Sequence, residues 1–313
     1  MKTFAFLYLV VAISLALLFR SLPLSQDKKS ALPAKITTTP NVSDKSPEIK
    51  VILAGDVMLG RTVETKSSEL GDYSYPFRKV GERLKGSDIV FINLENPIIE
   101  DCPEHSGGYK FCSSPKMLQG LTFSGVDIVN LANNHAGNYG QEGIEETIKL
   151  LAQKGIAATG LGELVILKRE DTSFGFLGFD LTTRNLDEKD ISLIHLSNSK
   201  VDVLIVGVHW GVEYTQTPTE IQRIWAKEII LAGADVIAGH HPHWVQGSET
   251  IEGKPVYYSL GNFVFDQMWS ERTKEGEIVE LIFKDGQLDS SRGLGIYMPS
   301  WGQPSFSEAI LPD

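Results

Sequence analysis

The chain has 313 residues, 42% of them hydrophobic and 22% charged, with a formal net charge of −11. That length suits one large α/β domain or two smaller ones, with ample apolar material for a core. The acid excess excludes a general nucleic-acid binder, which needs a basic stripe, and adhesion to anionic lipid by charge alone; an acidic polymer would have to be held by local cations or by metal.

At the N-terminus, "MKTFAFLYLVVAISLALLFR" carries an apolar run over 4–19 behind Lys2. The run is long for a signal-peptide core and slightly short for a spanning helix, and no small-x-small cleavage site follows it. Residues 1–24 therefore read as an uncleaved signal anchor with the folded part extracytoplasmic; a cleaved signal peptide is the alternative. Arg20, Lys28 and Lys29 on the far side weaken the charge asymmetry that sets orientation. Residues 25–47, rich in Ser, Thr, Pro and Lys without periodicity, read as a flexible linker. The folded domain is expected over 48–313 and should fold without the anchor.

From there apolar, β-rich runs alternate with helical stretches. "IKVILAGD", "SDIVFINLE", "VDIVNLANN", "VDVLIVGVHWG" and "ADVIAGHH" are expected strands. "FRKVGERLK", "SPKMLQGLTF", "QEGIEETIKLLAQKG" and "TPTEIQRIWAKEIILAG" are expected helices. "LVILKREDTSFGFLGFD" reads as a hairpin, and the tail as further antiparallel strands around "EGK" and "KDGQ" turns. One α/β domain with two sheet regions fits this order.

Five strands end in chemistry. "VILAG" runs into Asp56, "IVFINL" into Glu95, "IVNLAN" into Asn134 and His135, "VLIVGV" into His209, and "VIAGH" into His241 with His243 beyond. A single such residue is ordinarily a turn former or a helix cap. Five together predict convergence outside the carboxyl ends of the strands, where open α/β sheets bind ligands. Two carboxylates, an amide oxygen and three imidazoles suit Mn, Fe or Zn rather than an all-oxygen Mg or Ca cage. Six ligands exceed one tetrahedral site, so a centre of two divalent ions is expected, able to polarise phosphoryl oxygens. Cys102 and Cys112, in "EDCPEHSGGYKFC", fit one disulfide outside the membrane; with His105 they lack a convincing fourth zinc ligand.

The stretches "GDVMLGR", "NLENPI", "ANNHAGNYG", "VHWGVEY", "GHHPHWVQG" and "YSLGNFVFDQ" together resemble the calcineurin-like metallophosphoesterase superfamily, and within it the bacterial CapA family of poly-γ-glutamate capsule biosynthesis. The resemblance covers about residues 50–267 and implies a layered β-sandwich flanked by helices. It implies Asp56 on one metal, Glu95 as the bridging carboxylate, and Asn134 and His209 on the second metal. His241 and His243 match the paired histidines, His135 is the candidate general acid, and His240 falls at a variable position as a bystander. One departure is clear: the superfamily's Asp-x-His motif reads Asp56-Val57-Met58 here, and thioether sulfur is a weak ligand for these metals. If Met58 occupies the ligand position, its side chain should face the cavity, because positions 56 and 58 share a side in an extended strand.

Smaller expectations complete the picture. Arg61 could bind an anionic substrate group, and Asn262, with Asp266 in "GNFVFD", could reach substrate, shape the surroundings of the metal or simply make a turn. Trp210, Tyr214 and Trp244 are candidates for a substrate wall or for core. Two functions follow from the resemblance. One is a membrane-anchored, extracytoplasmic protein of poly-γ-glutamate synthesis or export, working beside a membrane synthetase. The other is a cell-surface metal-dependent hydrolase unrelated to capsule. A binding protein with a vestigial site is the third reading.

Overall fold

The computed structural model describes residues 47–104 and 107–307, all within one compact unit spanning Lys45–Asp313. The expected anchor, and all of the expected linker but its last residue, lie outside the described residues. Among the described residues no helix is long and apolar enough to cross a membrane.

In chain order, the first half holds β1 (Ile49–Val57), α1 (Arg61–Glu69), α2 (Gly81–Lys85), β2 (Ile89–Leu94), α3 (Leu118–Phe123), β3 (Ile128–Asn130), α4 (Gly140–Ala152) and β4 (Ala157–Thr159). Next come β5 (Val165–Arg169), β6 (Thr172–Asp180), α5 (Glu188–Asn198), β7 (Val203–His209), α6 (Glu220–Leu231) and β8 (Val236–His240). Then follow β9 (Val245–Ile251), β10 (Lys254–Leu260), β11 (Asn262–Val264), β12 (Glu275–Lys284), β13 (Gln287–Ser300) and β14 (Gln303–Phe306).

The strands form two sheets. An eight-stranded sheet runs β14-β13-β12-β1-β2-β3-β4, with β11 beside the end of β1, and a six-stranded sheet runs β5-β6-β7-β8-β10-β9. β1 through β4 are parallel, as are β6, β7, β8 and β10. Helical crossovers between parallel strands bring helices onto the sheet faces. The apolar residues divide accordingly. Val51, Leu53, Phe91 and Ile128 of the first sheet pack on Phe174, Phe176, Ile205 and Ala238 of the second. Ile52, Val90 and Val129 turn the other way, toward Leu84, Leu121 and Leu151 of α2, α3 and α4. On the far side Leu204 and Val206 pack on Ile194 of α5 and Trp225 and Ile229 of α6. The result is a helix–sheet–sheet–helix sandwich, a mixed α/β fold with two sheets. Each fully buried large apolar side chain contributes about 1.5–3 kcal/mol by leaving water.

One irregularity decides where the chemistry points. Along β1, Leu53 pairs with Phe91 but Asp56 pairs with Asn93, so β1 carries one residue more than β2 over the same stretch. Strict alternation would have turned Asp56 outward with Ile52 and Ala54. The extra residue switches the face, and Asp56 joins Leu53 on the side that meets the second sheet. Gly55 sits within the irregularity, where a Cβ would collide with the Gly261 carbonyl beside β11. Glycine there lets the two backbones approach.

The loop over 102–112 is closed by a disulfide between Cys102 and Cys112, with Cα atoms 5.8 Å apart. Several sequence expectations are trimmed. "FRKVGERLK" gives only a helical turn at Tyr75–Phe77 and the short α2, and the third strand shrinks to Ile128–Asn130. The ligand-bearing tips belong to two sheets rather than one.

Glu277 on β12 follows the inward-facing parity of Val279, Leu281 and Phe283, and it has no ion-pair partner among the described residues. Burial pushes its carboxyl up to about 7. Because the folded state holds the proton more tightly than the unfolded chain does, this residue's contribution is fully present below pH 4.5 and is lost as pH rises through 7. Glu277→Gln should therefore gain stability over the parent at pH 8, on the order of 2 kcal/mol, and none at pH 4. Denaturant titrations at the two pH values measure it; an equal difference at both would mean the carboxyl does not titrate in the fold.

Candidate metal centre

The carboxyl ends of β1, β2, β7 and β8 meet where the sheets face each other. Asp56, Glu95 and His209 are fully buried there, and one ligand atom from each lies within 4.8 Å of the others. Asn93, also fully buried, sits among them. Its Nδ2 donates to Asp56 Oδ1 at 2.9 Å and to Glu95 Oε1 at 3.2 Å, and stands 3.3 Å from His209 Nδ1. Two amide hydrogens thus face three groups able to accept. Asn93 is in turn held by Asn130 Nδ2, which donates to its Oδ1 at 3.1 Å. Glycine makes room for this polar ladder between the sheets: a Cβ on Gly178 would strike Asn130 Oδ1, and one on Gly207 would crowd Phe91 and Asn130.

The histidines enclose the acids from the second sheet. His209 Nε2 is 3.0 Å from Asn134 Oδ1 and 3.8 Å from Glu95 Oε1. His241 follows β8; its ring lies 4.8 Å from that of His209, and its backbone N–H donates to Asp56 Oδ2 at 3.3 Å. His243 Nδ1 is 3.4 Å from Asp56 Oδ2 and 2.9 Å from Asn262 Oδ1. Both His241 (φ 96°) and His243 (φ 58°) adopt the left-handed region, which non-glycine residues rarely occupy and which clusters at ligand sites. All six residues expected as ligands therefore stand around one place.

The electrostatics show what the site lacks. Burial opposes charge on Asp56, but hydrogen bonds and charge from His240 and His243 hold its carboxyl well below the usual range. Burial, and then the Asp56 charge, push Glu95 well above it. Burial and the neighbouring His241 hold His209 neutral, its pKa well below the ordinary imidazole value. Two adjacent buried carboxylates cannot both ionise without a compensating cation. Glu95 Oε2, His241 Nδ1 and His240 Nε2 are buried with no hydrogen-bond partner. Such orphans require a partner that the protein does not itself supply. A divalent cation fits this donor set: it would take lone pairs that Asn93 cannot satisfy and let Glu95 ionise.

Other residues fall where sequence did not put them. His240 is no bystander: it is fully buried with Nδ1 3.1 Å from Asp56 Oδ1. Met58 does not extend the alternation from Asp56, because β1 ends at Val57. It packs in the outer core with Val57, Leu59 and Phe77, and the Gly60 N–H meets its sulfur at 3.2 Å. Arg61 directs its guanidinium at Asp266, with Nε donating at 3.1 Å, at the Gly108 carbonyl and over the Phe111 ring. Asn262 is engaged on both sides, its Nδ2 donating to Gln267 Oε1 and the Thr273 carbonyl, so it positions His243. Trp210 is core, fully buried and bonded to the Tyr258 carbonyl. His135 stacks on Phe111 with ring centres 4.0 Å apart, and burial lowers its pKa to about 4. Next in sequence to Asn134, it donates its backbone N–H to Asn133 Oδ1 at 3.1 Å, and its Nδ1 stands 3.3 Å from Asn138 Oδ1. Asn93 was not singled out from sequence; the signal was an amide at an inward-facing position of an otherwise apolar strand.

Two facing sheets, outer helices and this donor cluster at the strand ends define a metallophosphoesterase-like sandwich. Solved structures share the fold: a phosphatase from Mycoplasma pneumoniae (TM-score 0.53, 13% identity, 80% of this chain and 94% of that one) and a hypothetical protein from Thermus thermophilus (TM-score 0.52, 16% identity, 80% and 100%). Residues 50–267 match the family described as bacterial capsule synthesis protein PGA_cap, and the chain belongs to that family. It is 32% identical over 270 residues to the capsule biosynthesis protein CapA of Bacillus anthracis, covering 77% of this chain and 65% of that protein. It is 31% identical over 279 residues to the PGA biosynthesis protein CapA of Bacillus subtilis strain 168, covering 79% and 71%.

The placement of Met58 and His240 makes a paired expectation. Met58→His puts an imidazole into apolar core, so it should cost about 2 kcal/mol or more and leave metal stoichiometry unchanged. His240→Ala removes a hydrogen-bonded neighbour of Asp56 and should weaken Mn²⁺ or Zn²⁺ binding about tenfold or more. Calorimetric metal titrations with thermal melts decide it; an extra bound ion in Met58→His would return position 58 to the site.

Proposed function

We propose that this chain is a membrane-anchored, extracytoplasmic protein of poly-γ-glutamate capsule synthesis or export, acting through a divalent-metal centre. The observation that supports it most is the buried Asp56–Glu95–His209 cluster, lying inside the stretch matched by the capsule synthesis family. In this reading residues 1–24 anchor the chain, 25–47 tether the domain, and the partners are the polymer and a membrane synthetase.

The ligands are Asp56, Glu95, Asn134, His209, His241 and His243, around two ions of Mn, Fe or Zn. When bound, the metal supplies Lewis acidity toward an oxygen of the substrate. The chain's own residues do the rest. Asn93 orients both carboxylates, Asn262 fixes the His243 ring, and the two sheets exclude water from the inner side. Burial keeps His135 neutral at pH 7, so next to Asn134 its imidazole offers a hydrogen bond rather than a charge. The second reading, a cell-surface metal-dependent hydrolase, is favoured by the same buried donor cluster, since a divalent ion held there would supply Lewis acidity for bond cleavage.

The test is complementation of a capsule-negative strain lacking this chain. Wild type should restore cell-associated poly-γ-glutamate. Asp56→Ala and a chain lacking 1–24 should each restore at most about a tenth of it. Full restoration by Asp56→Ala would end the metal-dependent reading. Capsule unaffected by loss of the whole chain, with metal-dependent turnover of an aryl phosphate by the purified protein, would favour the hydrolase.

A further inference from the structure

An acidic polymer approaching a protein of net charge −11 needs a local cation. Arg61, the cation that sequence offers, is already neutralised by Asp266. Arg272 is not. It is exposed, and it meets no carboxylate within ion-pair distance among the described residues. Its neighbour Glu271 pairs with Lys274 and Tyr297 instead. The Arg272 guanidinium lies over the Trp244 ring, 5.0 Å from its centre, an arrangement that orients the fork while leaving its edge free.

That cation stands on an aromatic shelf continuous with the metal cluster. Tyr214 stacks on His243 at 5.9 Å, meets Trp244 at 6.3 Å, and takes Trp269 edge-on at 4.8 Å. Trp269 is 61% exposed. The shelf is built rather than loose. Asn262, which holds His243, also donates to Gln267 and to the Thr273 carbonyl. Gln267 donates to the Tyr214 hydroxyl at 3.2 Å, and Thr273 Oγ1 donates to the Gln267 carbonyl. The segment carrying Trp269 and Arg272 is thereby fastened to the residue that positions a candidate ligand.

We infer that Tyr214, Trp244, Trp269 and Arg272 form a subsite for a carboxylate-bearing polyamide chain leading to the metal centre. This deepens the capsule reading and rests on it. Planar amides and methylene runs lie on the exposed Trp269 ring and the half-buried Tyr214 and Trp244 rings, and one pendant carboxylate can pair with the guanidinium in two parallel hydrogen bonds. A neutral glycan would use the rings and gain nothing from Arg272.

The test is binding of a defined γ-linked glutamate decamer to the full-length, Mn²⁺-loaded chain, read by calorimetry and tryptophan fluorescence. Arg272→Gln should weaken binding about tenfold and flatten its salt dependence. Trp269→Ala should weaken it several-fold. Both should keep the wild-type metal stoichiometry and melting temperature. Decamer affinity unchanged in Arg272→Gln overturns the subsite and leaves the capsule reading standing. A neutral oligosaccharide that binds through Trp269 and excludes the decamer also overturns it. A wild-type chain that binds no decamer at all overturns the subsite and the capsule reading together.

Discussion

Two carboxyl groups, Asp56 and Glu95, are held side by side with no access to water, and the surrounding structure follows from that constraint. Desolvating one acid is costly, and a second beside it adds repulsion. The fold meets this with Asn93, whose amide bridges both acids, and with imidazoles on the opposite sheet. The arrangement is still incomplete: it pushes the Glu95 pKa well above the usual carboxylate range and leaves Glu95 Oε2, His240 Nε2 and His241 Nδ1 without partners. Polar satisfaction inside a protein is ordinarily close to full. A shortfall concentrated at one point is therefore the mark of a site shaped for something that binds there.

Much of this was legible in sequence, and the reasons are specific. The alternation of apolar strands with amphipathic helices gave the α/β class, because parallel strands require crossovers. Residues at strand ends gave the cluster, because carboxyl ends of parallel strands share an edge. What could not be read was the register. The extra residue in β1 turns Asp56 toward the second sheet, and no local pattern in "VILAGD" announces it. The same blind spot explains Met58: alternation was carried past Val57, where the strand had already stopped. His240 was misjudged because it ends β8 on the face that meets Asp56, a matter of side rather than spacing. The partners of Arg61, Asp266 and the Gly108 carbonyl, are far away in sequence, so only the folded chain pairs them.

Family membership and the geometry speak to different questions. The match over 50–267 identifies relatives named for capsule synthesis. The solved structures of low identity speak to architecture alone, since one fold hosts many chemistries. The local chemistry sets this chain apart from the wider superfamily pattern. Position 58 offers a core methionine, while His240 brings an imidazole to Asp56 from the other sheet.

The division of the cluster between two sheets has a consequence for assembly. Asp56 and Glu95 emerge early in synthesis, whereas His209, His241 and His243 follow only after most of the domain has been made. Until then the early carboxylates remain solvated and have no partners across the sandwich. A divalent ion captured at this seam would clasp the two halves of the chain to each other, so metal supply would govern how firmly the finished domain stays closed, as well as what it does.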